Sequence, residues 1–273
     1  SISFLRSWPR DAWRKWNRSL RTSECVTTCR LYEQATFREA VGDELRPGGL
    51  ELTAELATAC SLSPGGRVLD LGCGTGSTAA FLAREWQADV VGLDCSASRL
   101  AEARARKEAV IWVEGQAECI PCPDGSFDAV FAECVVNALA DPTQALGEIH
   151  RVLRPGGLLA VSDLYLRRPV QGPDGIEQVR PASWMERIPE STCLRGALSR
   201  EATVSRLSEA GFAVRTWRDR SHVLKEFVAR MVFSYGSAAR FWEALLGGGT
   251  PCREMVAQTR PGYFLVVAER LPS

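Results

Sequence analysis

Ten cysteines and one cluster of glycines are the residues in this chain best suited to chemistry. The glycines lie in Val68-Leu69-Asp70-Leu71-Gly72-Cys73-Gly74-Thr75-Gly76, directly after an apolar run. Glycine permits a tight turn and leaves no Cβ to collide with a ligand. The spacing is G-x-G-x-G, not the dinucleotide G-x-G-x-x-G. It suits a nucleoside carrying an amino-acid tail better than a pyrophosphate, which needs a free helix N-terminus. A second apolar run, Val90–Asp94, ends on an acid that can accept hydrogen bonds from both hydroxyls of a ribose. Thiolates are soft ligands, so cysteines brought together would select a soft, thiophilic partner. Cys119 and Cys122 form a C-x-x-C pair suited to redox or zinc chemistry, and Cys25/Cys29 is the other close pair. His150 and His222 lie in no metal-like cluster. Cys73 and Cys95 also read as packing residues, since free cysteine is readily buried.

The elements that position these residues follow from hydropathy rhythm. From residue 66 strands and helices alternate. Strands are expected at Val68–Leu71, Val90–Asp94, Val110–Val113, Phe127–Ala132 and Leu158–Ser162. Helices are expected at Thr78–Trp86, Ala97–Lys107 and around Ala145–Leu153, the last ending at Pro155-Gly156-Gly157. Short buried strands separated by helices predict a parallel sheet covered on both faces, with right-handed crossovers. Beyond residue 163 the pattern predicts a helix at 199–210, a strand at Phe212–Trp217, one helical stretch over 222–246 and a last strand at Tyr263–Ala268. Upstream, helical patterns fall at 30–41 and 50–60. The Trp/Arg-rich residues 1–24 read as an amphipathic helix docked on the body or as a tail without fixed structure.

Lys+Arg and Asp+Glu balance at 33 each, so no bulk field draws the chain to nucleic acid or membrane. No apolar run approaches the ~20 residues that span a bilayer. Arginines interrupt the N-terminus where a signal peptide would be apolar. These features predict a cytoplasmic protein with neither nucleic-acid nor membrane partners.

The glycine loop, Asp94, Gln116-Ala117-Glu118 and Arg154-Pro155-Gly156-Gly157 together resemble class I S-adenosylmethionine-dependent methyltransferases over residues 66–163. The resemblance implies an α/β, Rossmann-like seven-stranded sheet, mostly parallel with its last strand antiparallel. It divides the chain into an N-terminal helical cap (1–64), a cofactor-binding core (65–165) and a substrate-side region with a helical insertion (166–273). It implies that Asp70, Gly72, Gly74 and Gly76 line the methionine end of S-adenosylmethionine, with Glu133 beside them. Asp94 and Cys95 would lie at the ribose, and Gln116, Ala117 and Glu118 at the adenine. Many relatives carry Asp where this chain has Gln116.

Four further segments resemble the arsenite methyltransferases over about residues 20–200. They are Cys25-Val26-Thr27-Thr28, Cys134-Val135-Val136-Asn137, Ser162-Asp163-Leu164-Tyr165 and Cys193-Leu194-Arg195-Gly196-Ala197-Leu198. That resemblance implies a trivalent arsenical, arsenite or methylarsenite, held as substrate by Cys134 and Cys193. Cys25 would bind it or exchange thiols. A cellular thiol would be co-reactant, with thioredoxin or glutathione as partner. The family's further cysteine before the first strand has no counterpart in Leu45-Arg46-Pro47-Gly48-Gly49, where Cys29 or Cys60 would have to substitute. The alternative acceptors are an organic thiol or another small metabolite, with Glu133, Asp163, Tyr165 or His222 handling a proton. A thiol-rich metalloid sensor on the same fold is a third reading.

Overall fold

The computed structural model describes residues 46–168, 170–171, 177–178, 193–246 and 257–272. The helical patterns placed at 1–24 and 30–41, together with Cys25 and Cys29, lie outside the described residues.

Helix α1 (Gly49–Ala59) precedes the first strand, β1 (Arg67–Leu71). Then come α2 (Ser77–Glu85), β2 (Asp89–Asp94), α3 (Ala97–Ala105), β3 (Val110–Glu114) and β4 (Phe127–Glu133). A 3-10 turn at Val136–Ala138 leads to α4 (Pro142–Val152) and β5 (Leu153–Leu166). The two-residue strands β6 (Val170–Gln171) and β7 (Glu177–Gln178) pair with each other. The chain continues through α5 (Cys193–Gly196), α6 (Arg200–Glu209) and β8 (Phe212–Asp219). It closes with α7 (Ser221–Tyr235), α8 (Ala238–Leu246) and β9 (Pro261–Arg270).

Seven strands form one sheet in the order β3-β2-β1-β4-β5-β9-β8. The first five are mutually parallel, and β9 runs antiparallel to both β5 and β8. Strand order reverses between β1 and β4, so the crevice at their C-terminal ends is where such a sheet takes a ligand. Strands buried on both faces explain the near-continuous apolar runs, as in the fully buried Val68 and Leu69. On one face Leu52, Leu56 and Ala57 of α1 pack with Ala79 and Leu82 of α2 and with Tyr263. On the other, Ala145, Leu146, Ile149 and Val152 of α4 share a core with Leu207 of α6 and Phe264. Helix α1 is also tied to β8 and its end through Glu55, which pairs with Arg218 and Arg220.

Three expectations about elements change. The helix expected to run to Leu153 stops at Val152, because Leu153 already pairs with Phe127. Strand β5 therefore spans Leu153–Leu166 and contains the Pro155–Gly157 turn, with Gly156 at φ 73°. The single stretch expected over 222–246 is two helices, separated where Gly236 adopts φ 76° and caps α7. The 3-10 turn and the short α5 were missed, since neither is long enough for a periodic pattern. No helix among the described residues is long and apolar enough to cross a membrane.

Candidate functional site

A cavity of about 430 Å³ opens at the C-terminal ends of β1, β2 and β4. The loop after β1 forms one wall. Gly72, Gly74 and Gly76 all have positive φ, which L side chains rarely adopt. Their roles differ. A Cβ on Gly74 would meet nothing, so its absence leaves backbone open to the cavity, whereas one on Gly76 would strike the Trp112 ring at 2.4 Å. Gly76 itself does not line the cavity. It lets α2 pack against β3 and α3.

Asp94 lines the cavity and braces the loop. One carboxylate oxygen accepts from the Gly74 amide at 2.8 Å, the other from the Ser96 amide at 2.8 Å. A carboxylate has about four acceptor positions, so lone pairs remain for ribose hydroxyls. Gln116, Ala117 and Glu118 line the opposite end with Cys119 and Gln144. Gln144 donates to the Glu118 carbonyl at 2.9 Å, joining that rim to α4. Arg151 holds the loop from behind, donating to the carbonyls of Ile120 and Cys122 at 2.8 Å each, while Glu148 accepts from the Ile120 amide.

The floor below the glycine loop is a buried polar cluster. Glu133 accepts from Thr78 Oγ1 at 2.8 Å and from Thr53 Oγ1 at 3.1 Å, and pairs with Arg46 at 2.9 Å. Arg46 also bonds Thr53. Two atoms of this buried floor have no partner: Arg46 Nε and Asp70 Oδ2. Both residues line the cavity, while these two atoms themselves lie behind its surface. Burial, reinforced by Glu133, holds the Asp70 carboxyl well above the usual carboxylate range, so a cationic partner would complete it.

Past Glu133 the chain reaches Cys134, half-buried, cavity-lining and at φ 56°, a left-handed conformation rare outside glycine. Its amide donates to the Ser162 carbonyl at 2.8 Å, and its sulfur lies 3.0 Å from Tyr263 Oη. Burial, followed by the Asp163 charge, drives its pKa upward, so the free side chain is a thiol at neutral pH. Cys193 opens α5 and does not line the cavity. Its helix packs against the 3-10 turn that follows Cys134: a Cβ on Gly196 would overlap the Asn137 carbonyl. Asn137 is fixed in turn, donating from its amide to Asp163 at 3.1 Å and from its side chain to the Leu164 carbonyl at 2.7 Å.

The other residues singled out by sequence divide between the cavity wall, the core and the surface. Cys60 caps α1 inside the core and burial pushes it up to about 12, so it does not replace the missing family cysteine at the cavity. Cys119 is exposed beside the Gln116–Glu118 rim and Cys122 is in the core, burial pushing its thiol up to about 12. No group of three or more His, Cys, Asp or Glu suited to a metal occurs among the described residues. Cys73 lines the cavity with its sulfur beside Gly92. Cys95 also lines it and is disulfide-bonded, so it is not simply the packing thiol that the sequence suggests. Tyr165 faces away, donating to Asp219 at 2.8 Å and packed edge-on to Trp217 and Phe264. His222 is exposed on α7. Sequence reasoning missed Arg46, Thr53, Thr78 and Tyr263 as site residues and named Ser162 only within a matched segment. The Arg46-Pro47-Gly48-Gly49 run at the start of α1 was the one local hint.

The family profile described as a methyltransferase domain matches residues 69–161. The chain is 32% identical over 235 residues to an O-methyltransferase of Pyrenophora dematioidea, covering 81% of this chain and 80% of that one. The chain belongs to the S-adenosylmethionine-dependent methyltransferases. It is also 37% identical over 131 residues to methyltransferase GfsG of Streptomyces halstedii, covering 46% of this chain and 47% of that protein. The chain thus spans about half the length of the first curated relatives it matches, 47% and 53%. Among solved structures it is similar to Haemonchus contortus phosphoethanolamine N-methyltransferase 2 in complex with S-adenosyl-L-methionine. The TM-score is 0.67 at 20% identity, covering 87% of this chain and 56% of that one. That likeness establishes the fold.

Proposed function

We propose that this chain transfers a methyl group from S-adenosylmethionine to a trivalent arsenical held by Cys134 and Cys193. The observation that carries the reading is the position of Cys134. It is a strained, half-buried thiol on the cofactor-cavity wall, and the Cys193 helix packs against the turn just behind it. Backbone strain of this kind costs of order 1–3 kcal/mol and persists where the surroundings over-determine it, often at functional sites.

The cofactor supplies an electrophilic methyl carbon on a positively charged sulfur. Arg46 and Asp70 would hold its amino-acid tail, Asp94 its ribose, and the Gln116–Glu118 rim its adenine. Arsenic(III) brings its own lone pair, so transfer to it needs no proton acceptor at the moment of attack. A hydroxyl acceptor does need one. Of the four lining carboxylates, Glu133 is held by Arg46 and two threonines and Asp94 by two amides, while Asp70 and Glu118 are the ones assigned above to the cofactor's tail and adenine. The thiols would chiefly position the nucleophile, a contribution that alone supplies much of a displacement rate. Methyl transfer raises arsenic to the pentavalent state. Two thiols, from glutathione or thioredoxin, would return it to the trivalent one, leaving a disulfide and water.

A second reading, methylation of a small-molecule hydroxyl, is favoured by the O-methyltransferase name of the relative matched over 80% of its length. Incubation with cofactor, glutathione and either methylarsenite or a panel of phenols and thiols separates the two. Mass spectrometry should show methylated arsenic from the wild type and at least ~100-fold less from Cys134→Ser, because serine is a poor ligand for a soft centre. Equal product from both proteins would sink the arsenical reading, as would tight arsenical binding without methylation.

A further inference from the structure

We propose that Tyr263 is a positioning residue for Cys134, holding its sulfur at the cavity wall through a hydroxyl chain that ends at Ser162. The inference rests on the thiol-held acceptor proposed above.

Tyr263 is fully buried on β9, and both its backbone groups are pinned. Its carbonyl accepts from the Arg220 amide at 2.7 Å, and its amide donates to Ser221 Oγ at 3.2 Å. Phe264, Leu265 and Val266 follow it in the same strand, so the fold alone would accept phenylalanine here. A buried phenol needs a polar partner. Its two partners are Cys134 Sγ at 3.0 Å and Ser162 Oγ at 3.2 Å. Ser162 also accepts the Cys134 amide through its carbonyl, so one residue steadies that cysteine at the backbone and, through Tyr263, at the sulfur.

Each member of this chain can donate or accept. With the thiol protonated, Cys134 donates to Tyr263, which donates to Ser162. When the thiol condenses with an As–OH group, an S–As bond replaces S–H and As–O, and the thiol proton leaves as water. The chain then reverses: Ser162 donates to Tyr263 and Tyr263 donates to the sulfur. The cysteine keeps its partner before and after ligation, so the sulfur does not swing away. The charged groups around it are Arg46, Glu133 and Asp163, and burial dominates their combined effect.

The test uses the full chain without ligand, measuring iodoacetamide alkylation of Cys134 across a pH series by peptide mass spectrometry. Exposed Cys119 is the internal reference. A hydrogen bond to an ionised sulfur is stronger than a neutral one. Tyr263→Phe should therefore slow Cys134 alkylation roughly tenfold near neutral pH and leave Cys119 unchanged. Ser162→Ala, which keeps the phenol, should slow it by less and guards against misfolding of the first variant. Identical Cys134 profiles in wild type and both variants overturn the proposal. With methylarsenite, Tyr263→Phe should raise KM for the arsenical and leave KM for the cofactor unchanged; the opposite split also overturns it. Absence of methylated arsenic from the wild type would defeat the arsenical reading alone, because the alkylation comparison uses no arsenical.

Discussion

At the scale of single residues, Asp163 shows how burial and hydrogen bonding compete. It is almost fully buried, and burial carries its carboxyl up to about 7, although amides of Asn137 and Leu164 donate to it and oppose the rise. A carboxyl whose pKa is higher folded than unfolded favours the fold most when protonated. Its contribution is complete below about pH 4 and declines as pH rises through about 7. Asp163→Asn removes the titration. The wild-type melting temperature should therefore fall between pH 5 and pH 8 by roughly 5 °C more than that of the variant. Parallel pH curves from differential scanning calorimetry would show that Asp163 is not raised. This residue also marks what sequence reading reaches. The glycine loop and Asp94 were legible because their chemistry is local: a turn needs glycines, and a ribose needs an acid at a strand end. Thr53 meets Glu133 across 80 residues and Tyr263 meets Cys134 across 129, separations that no local pattern records. The positive φ of Cys134 was equally hidden, since nothing in Cys-Val-Val announces it.

At the scale of elements, the cavity rim after β3 depends on a clamp rather than on its own sequence. Residues 119–124 have no strand or helix of their own, and Arg151 of α4 satisfies two of their carbonyls while paired with Glu148 and Asp124. The hydrogen bonds that Arg151 donates to Glu148 are the first cause both of the raised Arg151 pKa and of the lowered Glu148 pKa. Arg151→Ala should free the loop and raise KM for the cofactor roughly tenfold with little change in kcat, because two charge-assisted hydrogen bonds are lost away from the reacting atoms. A variant with wild-type KM would show that the rim is held by other contacts. Element types were readable from the alternation after residue 66; their ends were not. Leu153 reads as helix until its pairing with Phe127 is known, and Gly236 divides a stretch whose apolar period is unbroken.

At the scale of the whole molecule, Arg46 Nε and Asp70 Oδ2 are buried without hydrogen-bond partners, a cost to the fold. Cofactor binding should offset that cost. At about 100 times its dissociation constant, S-adenosylmethionine should stabilise the wild type by about 2.7 kcal/mol, read as a rise in melting temperature. Asp70→Ala should keep the fold yet lose most of the rise. An undiminished rise in that variant would remove Asp70 from the cofactor site. The seven-stranded plan itself was expected from sequence, including the antiparallel last strand. Which distant segments it would gather at one cavity was not.

Strand β9 has a consequence for how the protein is made. Among the described residues it is last of the sheet strands, yet it sits between β5 and β8, and β8 pairs with no other described strand. During synthesis β5 therefore presents a bare edge from Leu158 to Leu166 until residue 270 has left the ribosome, a template for pairing with other chains. Tyr263 arrives on that same strand. The nascent chain cannot fix the Cys134 sulfur before its sheet is closed, so an immature chain would carry a loose thiol beside an unfinished edge.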